Sequence, residues 1–216
     1  MINAPSVLLI DFFSYAVNYF QLPYFCSMEK MFADQTFTKE HFKTGRFERG
    51  EYDQCIFQHC DLQAADFSTC LFIDCIFEHC DVSRIKLNNT VFRDVKFRNC
   101  KMMGIHFENC NKFGLAFTLE KCLLHHSSFY RTTLKKNIFR ETELVEVDFT
   151  ECDLTECVFD RCNFSGARFD NTILERADLS TSFAYSIDPE INRIKKARFS
   201  AAGIAGLLDK YDIDIV

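Results

Sequence analysis

A large apolar residue stands at every fifth position through most of this chain, and no ordinary helix or strand repeats with that period. From Phe37 the series runs through Phe42, Phe47, Tyr52, Phe57, Leu62, Phe67, Phe72, Phe77, Val82, Leu87, Phe92, Phe97 and Met102 to Phe107. It then slips by two residues and resumes at Leu124, Phe129, Leu134, Phe139, Leu144, Phe149, Leu154, Phe159, Phe164, Phe169, Leu174 and Leu179. A helix repeats at about 3.6 residues and a strand alternates, so neither template holds these positions on one face. A chain that turns a corner every five residues does. Four such sides close a square coil of 20 residues, which is the offset between CIFQHC at Cys55 and CIFEHC at Cys75. Stacked coils then sit about 4.8 Å apart, with the fifth-position residues in inward columns.

Two residues before each centre lies a second pattern. Eleven of the twelve cysteines occupy this site, and Ala, Ser and Thr fill most of the others; only Cys26 stands elsewhere. Mostly small residues at one fixed phase define a second, narrower inward site. Free cysteine suits it as a small, frequently buried hydrophobe. The same phase decides the Cys/His question raised by CIFQHC. Cys55 and Cys60 point inward and His59 points outward, whereas a zinc site needs convergent ligands. His59 and His79 are expected to stack on one outer face. Disulfides are also disfavoured, because stacked parallel side chains hold their Cβ atoms too far apart.

The remaining composition excludes several classes. Net charge is −6, unlike a nucleic-acid binder. The first 27 residues carry no Lys or Arg, and Asp11 interrupts VLLIDFFSYAVNYF, so neither a signal peptide nor a membrane span is expected. Reduced thiols and a cytoplasmic location follow. No GxGxxG, P-loop, GxSxG or HExxH occurs, and no cofactor, metal or catalytic residue is assigned. His125 and His126, near the slip, mark the expected place of a bulge.

The unit in AADFST, ECDLTE, RCNFSG and RADLST resembles that of the pentapeptide-repeat proteins, over about Gln35 to Ser182. The resemblance implies an all-β solenoid, a right-handed quadrilateral β-helix, with a short helix at its C-terminus. The end of the chain, IDPEINRIKKARFSAAGIAGLLDKYDIDIV, looks like the C-terminal module of the Qnr quinolone-resistance proteins. That likeness implies a rod that imitates duplex DNA, binds DNA gyrase and topoisomerase IV without touching nucleic acid itself, and forms an end-to-end homodimer. The alternative is a scaffold for another cytosolic protein.

Three segments follow: an N-terminal extension at 1–30, the β-helix at 31–185 and a capping and dimerisation module at 186–216. Ser200 caps the expected short helix, which runs to about Lys210 and offers Ile204, Leu207 and Leu208 as the dimer contact. IDIV reads as a terminal strand. The extension is open to three readings: a hydrophobic cap, a membrane-associating segment, or sequence upstream of a start at Met28 or Met31. Charge supplies the candidate partner-binding surface. Glu141, Glu143, Glu146, Asp148, Glu151, Asp153, Glu156 and Asp160 face outward, with no basic residue in that stretch. Residues 48–81 are also acidic. Residues 84–140 reverse the sign, with twelve Lys or Arg against Asp94, Glu108 and Glu120.

Overall fold

A computed structural model describes residues 30–43, 47–113 and 115–214. Its strands are β1 (Met31–Ala33), β2 (Thr36–Thr38), β3 (Glu51–Asp53), β4 (Ile56–Gln58), β5 (Leu71–Ile73), β6 (Ile76–Glu78), β7 (Val91–Arg98), β8 (Leu115–Glu120), β9 (Ile138–Arg140), β10 (Val158–Asp160), β11 (Asp178–Leu179) and β12 (Arg198–Phe199). All pairings are parallel, and except across the slip between β7 and β8 each residue meets the one 20 positions on, as in Phe37 on Phe57, Phe57 on Phe77 and Phe77 on Phe97. The other two sides of the square are held by single bridges such as Asp61–Asp81–Lys101 and Ser128–Asp148–Arg168. The chain is a four-sided β-solenoid.

The inward columns are aromatic stacks. Ring centroids lie 4.9 Å apart for Phe37 and Phe57, 4.4 Å for Phe57 and Phe77, and 4.9 Å for Phe77 and Phe97. The coil rise already holds the rings near the separation that offset stacking prefers. The corner residue, two after each centre, is left-handed: Gln54, His59, Ala64 and Thr69 have φ of 51°, 53°, 57° and 65°. Each non-glycine there costs about 1–2 kcal/mol. Among the described residues, only at Gly104 (φ 61°) and Gly166 (φ 67°) does glycine relieve it.

The narrow site proves to be a donor site as well as a small one. Cys75 Sγ lies 3.2 Å from the carbonyl of Tyr52, and Cys157 Sγ 2.8 Å from that of Leu134. Thr90, Thr172 and Ser182 place hydroxyls 2.7, 2.8 and 2.8 Å from the carbonyls of Phe67, Phe149 and Phe159. The acceptor is the centre of the preceding side, one coil back; the carbonyls of Phe67, Leu134 and Phe149 also accept a turn N–H, from Cys70, Asn137 and Cys152. Cys, Ser and Thr therefore interchange because each carries a donor.

The slip is confined to one corner. Phe92 pairs with Leu115, but Val95 pairs with Phe117, and the ladder is regular again through Arg98 and Glu120. Phe117 is buried against Phe107, Phe129 and Phe139, which closes the core beneath the irregularity. The expected bulge at His125 and His126 is absent: their backbone groups keep the coil-to-coil pattern, with Gly104 N–H donating to His125 O at 3.0 Å.

At the C-terminus three expectations change. Parallel pairing continues to Arg198 and Phe199, so the solenoid runs past residue 185. The expected helix over Ser200–Lys210 is instead a pair of 3-10 turns, Ile204–Leu207 and Asp209–Tyr211. Ser200 does accept the Gly203 N–H at 2.9 Å. Ile213 and Asp214 form no strand, and the rest of IDIV lies outside the described residues. Two close approaches explain the short turns. A Cβ added to Gly206 would meet the Tyr185 carbonyl oxygen at 2.0 Å, and one on Gly203 the Tyr185 hydroxyl at 2.0 Å. Lys210 Nζ then ties the segment to Asp188 and Glu190 at 2.7 and 2.6 Å. Residues 1–29, and all three readings of the extension that rest on them, lie outside the described residues.

Candidate interaction surface

The chemistry-bearing side chains divide cleanly between inside and outside. All eleven described cysteines are buried and free. Burial pushes the thiol of Cys70 up to about 11 and those of Cys75, Cys152 and Cys162 up to about 12. Outside, His59 and His79 stack as parallel rings, with centroids 4.9 Å apart, as their shared phase requires. Among the described residues, no three His, Cys, Asp or Glu side chains converge as metal ligands would. No described helix is long and apolar enough to cross a membrane.

All eight carboxylates of the acidic belt lie outside the core, but they do not form a free anionic surface. A 20-residue window is one full coil, so the partners of its charges lie in the coils before and after. At the four corners, Glu141 meets Arg161 at 2.6 Å and Lys121 at 3.9 Å, and Glu146 meets His126 Nδ1 at 3.0 Å. Glu151 meets Arg131 at 2.6 Å, and Glu156 meets Arg176 at 2.6 Å and Lys136 at 3.8 Å. On the sides, Asp153 pairs with Lys135 at 3.1 Å and Asp160 with Arg161 at 3.4 Å. Glu143 accepts from Asn163 Nδ2 at 2.7 Å, and Asp148 from the Thr150 N–H at 2.9 Å. Hydrogen bonding to Arg131 lowers the pKa of Glu151. Burial opposes ionisation of Asp153, but hydrogen bonds from Thr155 and the Lys135 charge outweigh it and bring its pKa down.

A different corner keeps its charge. The register of β1, β3, β5 and β7 stacks Asp34, Gln54, Asp74 and Asp94, with Asp53 beside them. Among the described residues, Asp34, Asp53, Asp74 and Asp94 enter no ion pair. Burial raises the pKa of Asp53, and the charges of Asp74 and Asp34 raise it further. Glu51 is likewise raised by burial and then by Asp53, with Arg93 working against both. Counting charge along the chain could not reveal this contrast, but counting it in columns of 20 does.

At the other end, Ile204 is 54% exposed, while Leu207 packs against the core and Leu208 is half-buried. The three proposed contact residues therefore differ in exposure, with Ile204 the most exposed of them.

A stacked square solenoid with filled columns and charged outer corners defines a repeat-protein rod. Family models agree: residues 50–119 match a pentapeptide repeat region, and residues 142–180 match pentapeptide repeats (8 copies), together about half of the chain. The chain belongs to the pentapeptide-repeat family. No curated protein sequence matches it. Among solved structures it is similar to full-length QnrB1, a plasmid-mediated fluoroquinolone resistance protein, at 16% identity and a TM-score of 0.42, covering 85% of this chain and 100% of that one. It is also similar to HetL of the cyanobacterium Nostoc sp. strain PCC 7120, a protein involved in heterocyst differentiation regulation. That match has 15% identity and a TM-score of 0.42, covering 79% of this chain and 83% of that one.

Proposed function

We propose that this protein is a non-catalytic cytoplasmic rod that binds a partner protein through its outer faces. The observation that carries this reading is the division of chemistry just described. Thiols are inside, and most of them engage backbone carbonyls, while the charged side chains lie outside the core. General acid–base or nucleophilic work instead needs reactive groups gathered in a cleft.

The partner class we propose is the type II topoisomerases, DNA gyrase or topoisomerase IV, as the Qnr resemblance implies. On this reading the surface imitating duplex phosphate is the corner bearing Asp34, Asp53, Asp74 and Asp94, with the belt at 141–160 secondary because its carboxylates are already paired. Asp34, Asp74 and Asp94, with Asp53 supplying the charge in the coil of Gln54, give a linear anionic ridge of about one carboxylate per 4.8 Å coil. That is about a third of the density of one charge per roughly 1.7 Å that a DNA-binding saddle meets. The alternative, a scaffold for another protein, is favoured by that same pairing of the belt. An end-to-end homodimer is part of the proposal, and the exposure of Ile204 supports it.

Low-salt binding to purified gyrase separates the two. The topoisomerase reading expects a complex that weakens as salt rises, since exposed charges are screened within about 8–10 Å at physiological ionic strength. It also expects loss of that complex when Asp34, Asp53, Asp74 and Asp94 are all changed to Asn. No affinity at any salt leaves the scaffold.

A further inference from the structure

We infer that the inward column of Cys60, Cys80, Cys100 and Cys122 is a soft-metal site, in which successive thiols pair to hold two-coordinate divalent cations of the Hg2+ class on the line between them. These four residues stand on successive coils of one side, beside the bridges Asp61–Asp81–Lys101–Leu123. All four are free, and none is more than 2% exposed. The column differs from its neighbours. Elsewhere hydroxyls interrupt the thiols, as Thr90 follows Cys70 and as Thr132 and Thr172 flank Cys152. Among the described residues only Cys55 and Cys75 make another adjacent pair.

The geometry suits a linear ion rather than a disulfide or zinc. Sγ of Cys60, Cys80, Cys100 and Cys122 lies 3.4, 3.3, 3.4 and 3.4 Å from the carbonyl oxygens of Phe37, Phe57, Phe77 and Phe97. Four matching contacts displace successive sulfurs by one coil rise, about 4.8 Å. That gap is more than twice the ~2.05 Å of a disulfide bond. It nearly equals two collinear metal–thiolate bonds of about 2.3 Å each. Because the side chains project inward, the sulfur–metal–sulfur line runs along the rod and across the Cβ–Sγ bonds. Zinc takes four ligands, and His59 and His79 lie outside, away from the column.

Charge selects the class of ion. Each ion displaces two thiol protons to solvent, and a divalent ion between two thiolates leaves a neutral bridge. Cu+ or Ag+ leaves one uncompensated negative charge, which an apolar core disfavours. The column also supports its sulfurs: Cys60 N–H donates to Cys80 Sγ at 3.4 Å. Neighbouring thiols interact, Cys80 with Cys60 and Cys100, and Cys100 with Cys122. A surface groove lined by His59, Cys60, His79 and Cys80 gives the ion its way in beside the first pair.

The test loads the full chain with HgCl2, and in parallel with ZnCl2, then dialyses it against a monothiol that removes singly held ions. X-ray absorption and elemental analysis read the result. The expected outcome is retained mercury with two sulfur neighbours, no retained zinc, and a higher melting temperature with mercury bound. Two double variants, each keeping a donor at both changed positions, show which thiols are used. Cys60→Ser with Cys122→Ser leaves Cys80 and Cys100 adjacent and should retain one mercury fewer than the wild type. Cys60→Ser with Cys100→Ser removes as many thiols but leaves no adjacent pair in the column, and should retain two fewer. Equal retention by the two variants, retained zinc, three or more sulfur neighbours, or unfolding on mercury addition overturns the site. Should a variant fail to fold, the sulfur count and melting temperature of the wild type still decide.

Discussion

Arg131 and Glu151 face each other across one coil as a two-pronged pair, with Arg131 Nε 2.6 Å from one carboxylate oxygen and Nη2 2.9 Å from the other. The other three corners between the coils at 121–140 and 141–160 carry single contacts: Lys121–Glu141 at 3.9 Å, His126–Glu146 at 3.0 Å and Lys136–Glu156 at 3.8 Å. From outside, the pairing follows the register that the parallel ladder and the phenylalanine columns set from inside.

A pH dependence follows from this pair. Hydrogen bonding to Arg131 depresses the folded pKa of Glu151, so its contribution is present above the unfolded carboxylate pKa and is lost as pH falls through the folded value. Glu151→Gln should lower the melting temperature slightly at neutral pH. The gap to wild type should close toward pH 3 and shrink in high salt, because the pair is exposed. Melting curves across pH check it, and a gap that persists in acid contradicts the assignment.

The core prediction contrasts two residues that sit two apart in the chain. Phe77 is fully buried between Phe57 and Phe97, whereas His79 is exposed and touches His59 by stacking. Phe77→Ala should cost about 3–5 kcal/mol, which few coils could absorb without local unfolding. His79→Ala should shift the denaturation midpoint hardly at all. Equal shifts would mean the register is wrong.

The thiols yield an alkaline prediction. Burial raises the folded pKa of Cys70 to about 11 and those of Cys75, Cys152 and Cys162 to about 12, from an ordinary value of 9.0. A raised folded pKa gives stability that is complete below the unfolded pKa and is lost as pH rises toward the folded one. The protein should therefore lose stability steeply between about pH 9 and 12, and Cys75→Thr, which keeps the donor, should blunt the loss. Reductant alone should leave the melting temperature unchanged, and a thiol reagent should label these cysteines only on unfolding. Rapid labelling of the native protein would show that the column is open.

The fold was legible because its signal is one-dimensional: a centre every five residues and a small residue two before it leave one economical closure. Cys55 and Cys60 inside with His59 outside followed from phase alone. What the chain order hid was anything that depends on the neighbouring coil. Glu151 looked unpaired because Arg131 stands 20 residues away, and Asp34, Asp74 and Asp94 looked unrelated for the same reason. The donor role of Cys75 and Thr90 was concealed because packing already explained a small residue there. At the C-terminus the apolar spacing suggested a helix, but Gly203 and Gly206 let Tyr185 approach too closely for regular turns to form.

The last prediction separates capping from dimerisation at that end. Leu207 packs against the core of its own chain, whereas Ile204 is more than half exposed. An isologous end-to-end contact needs an apolar residue presented outward by both copies, and Ile204 fits that role better than Leu207. Ile204→Glu should produce monomers by light scattering while the melting temperature holds. Leu207→Glu should lower the melting temperature, since it puts a carboxylate against the last coil, where burying an unpaired charge is costly. If Ile204→Glu leaves the mass of a dimer unchanged, the contact lies elsewhere. If the wild type is itself a monomer, the C-terminal turns serve only to close the coil held by Gly203, Gly206 and Lys210.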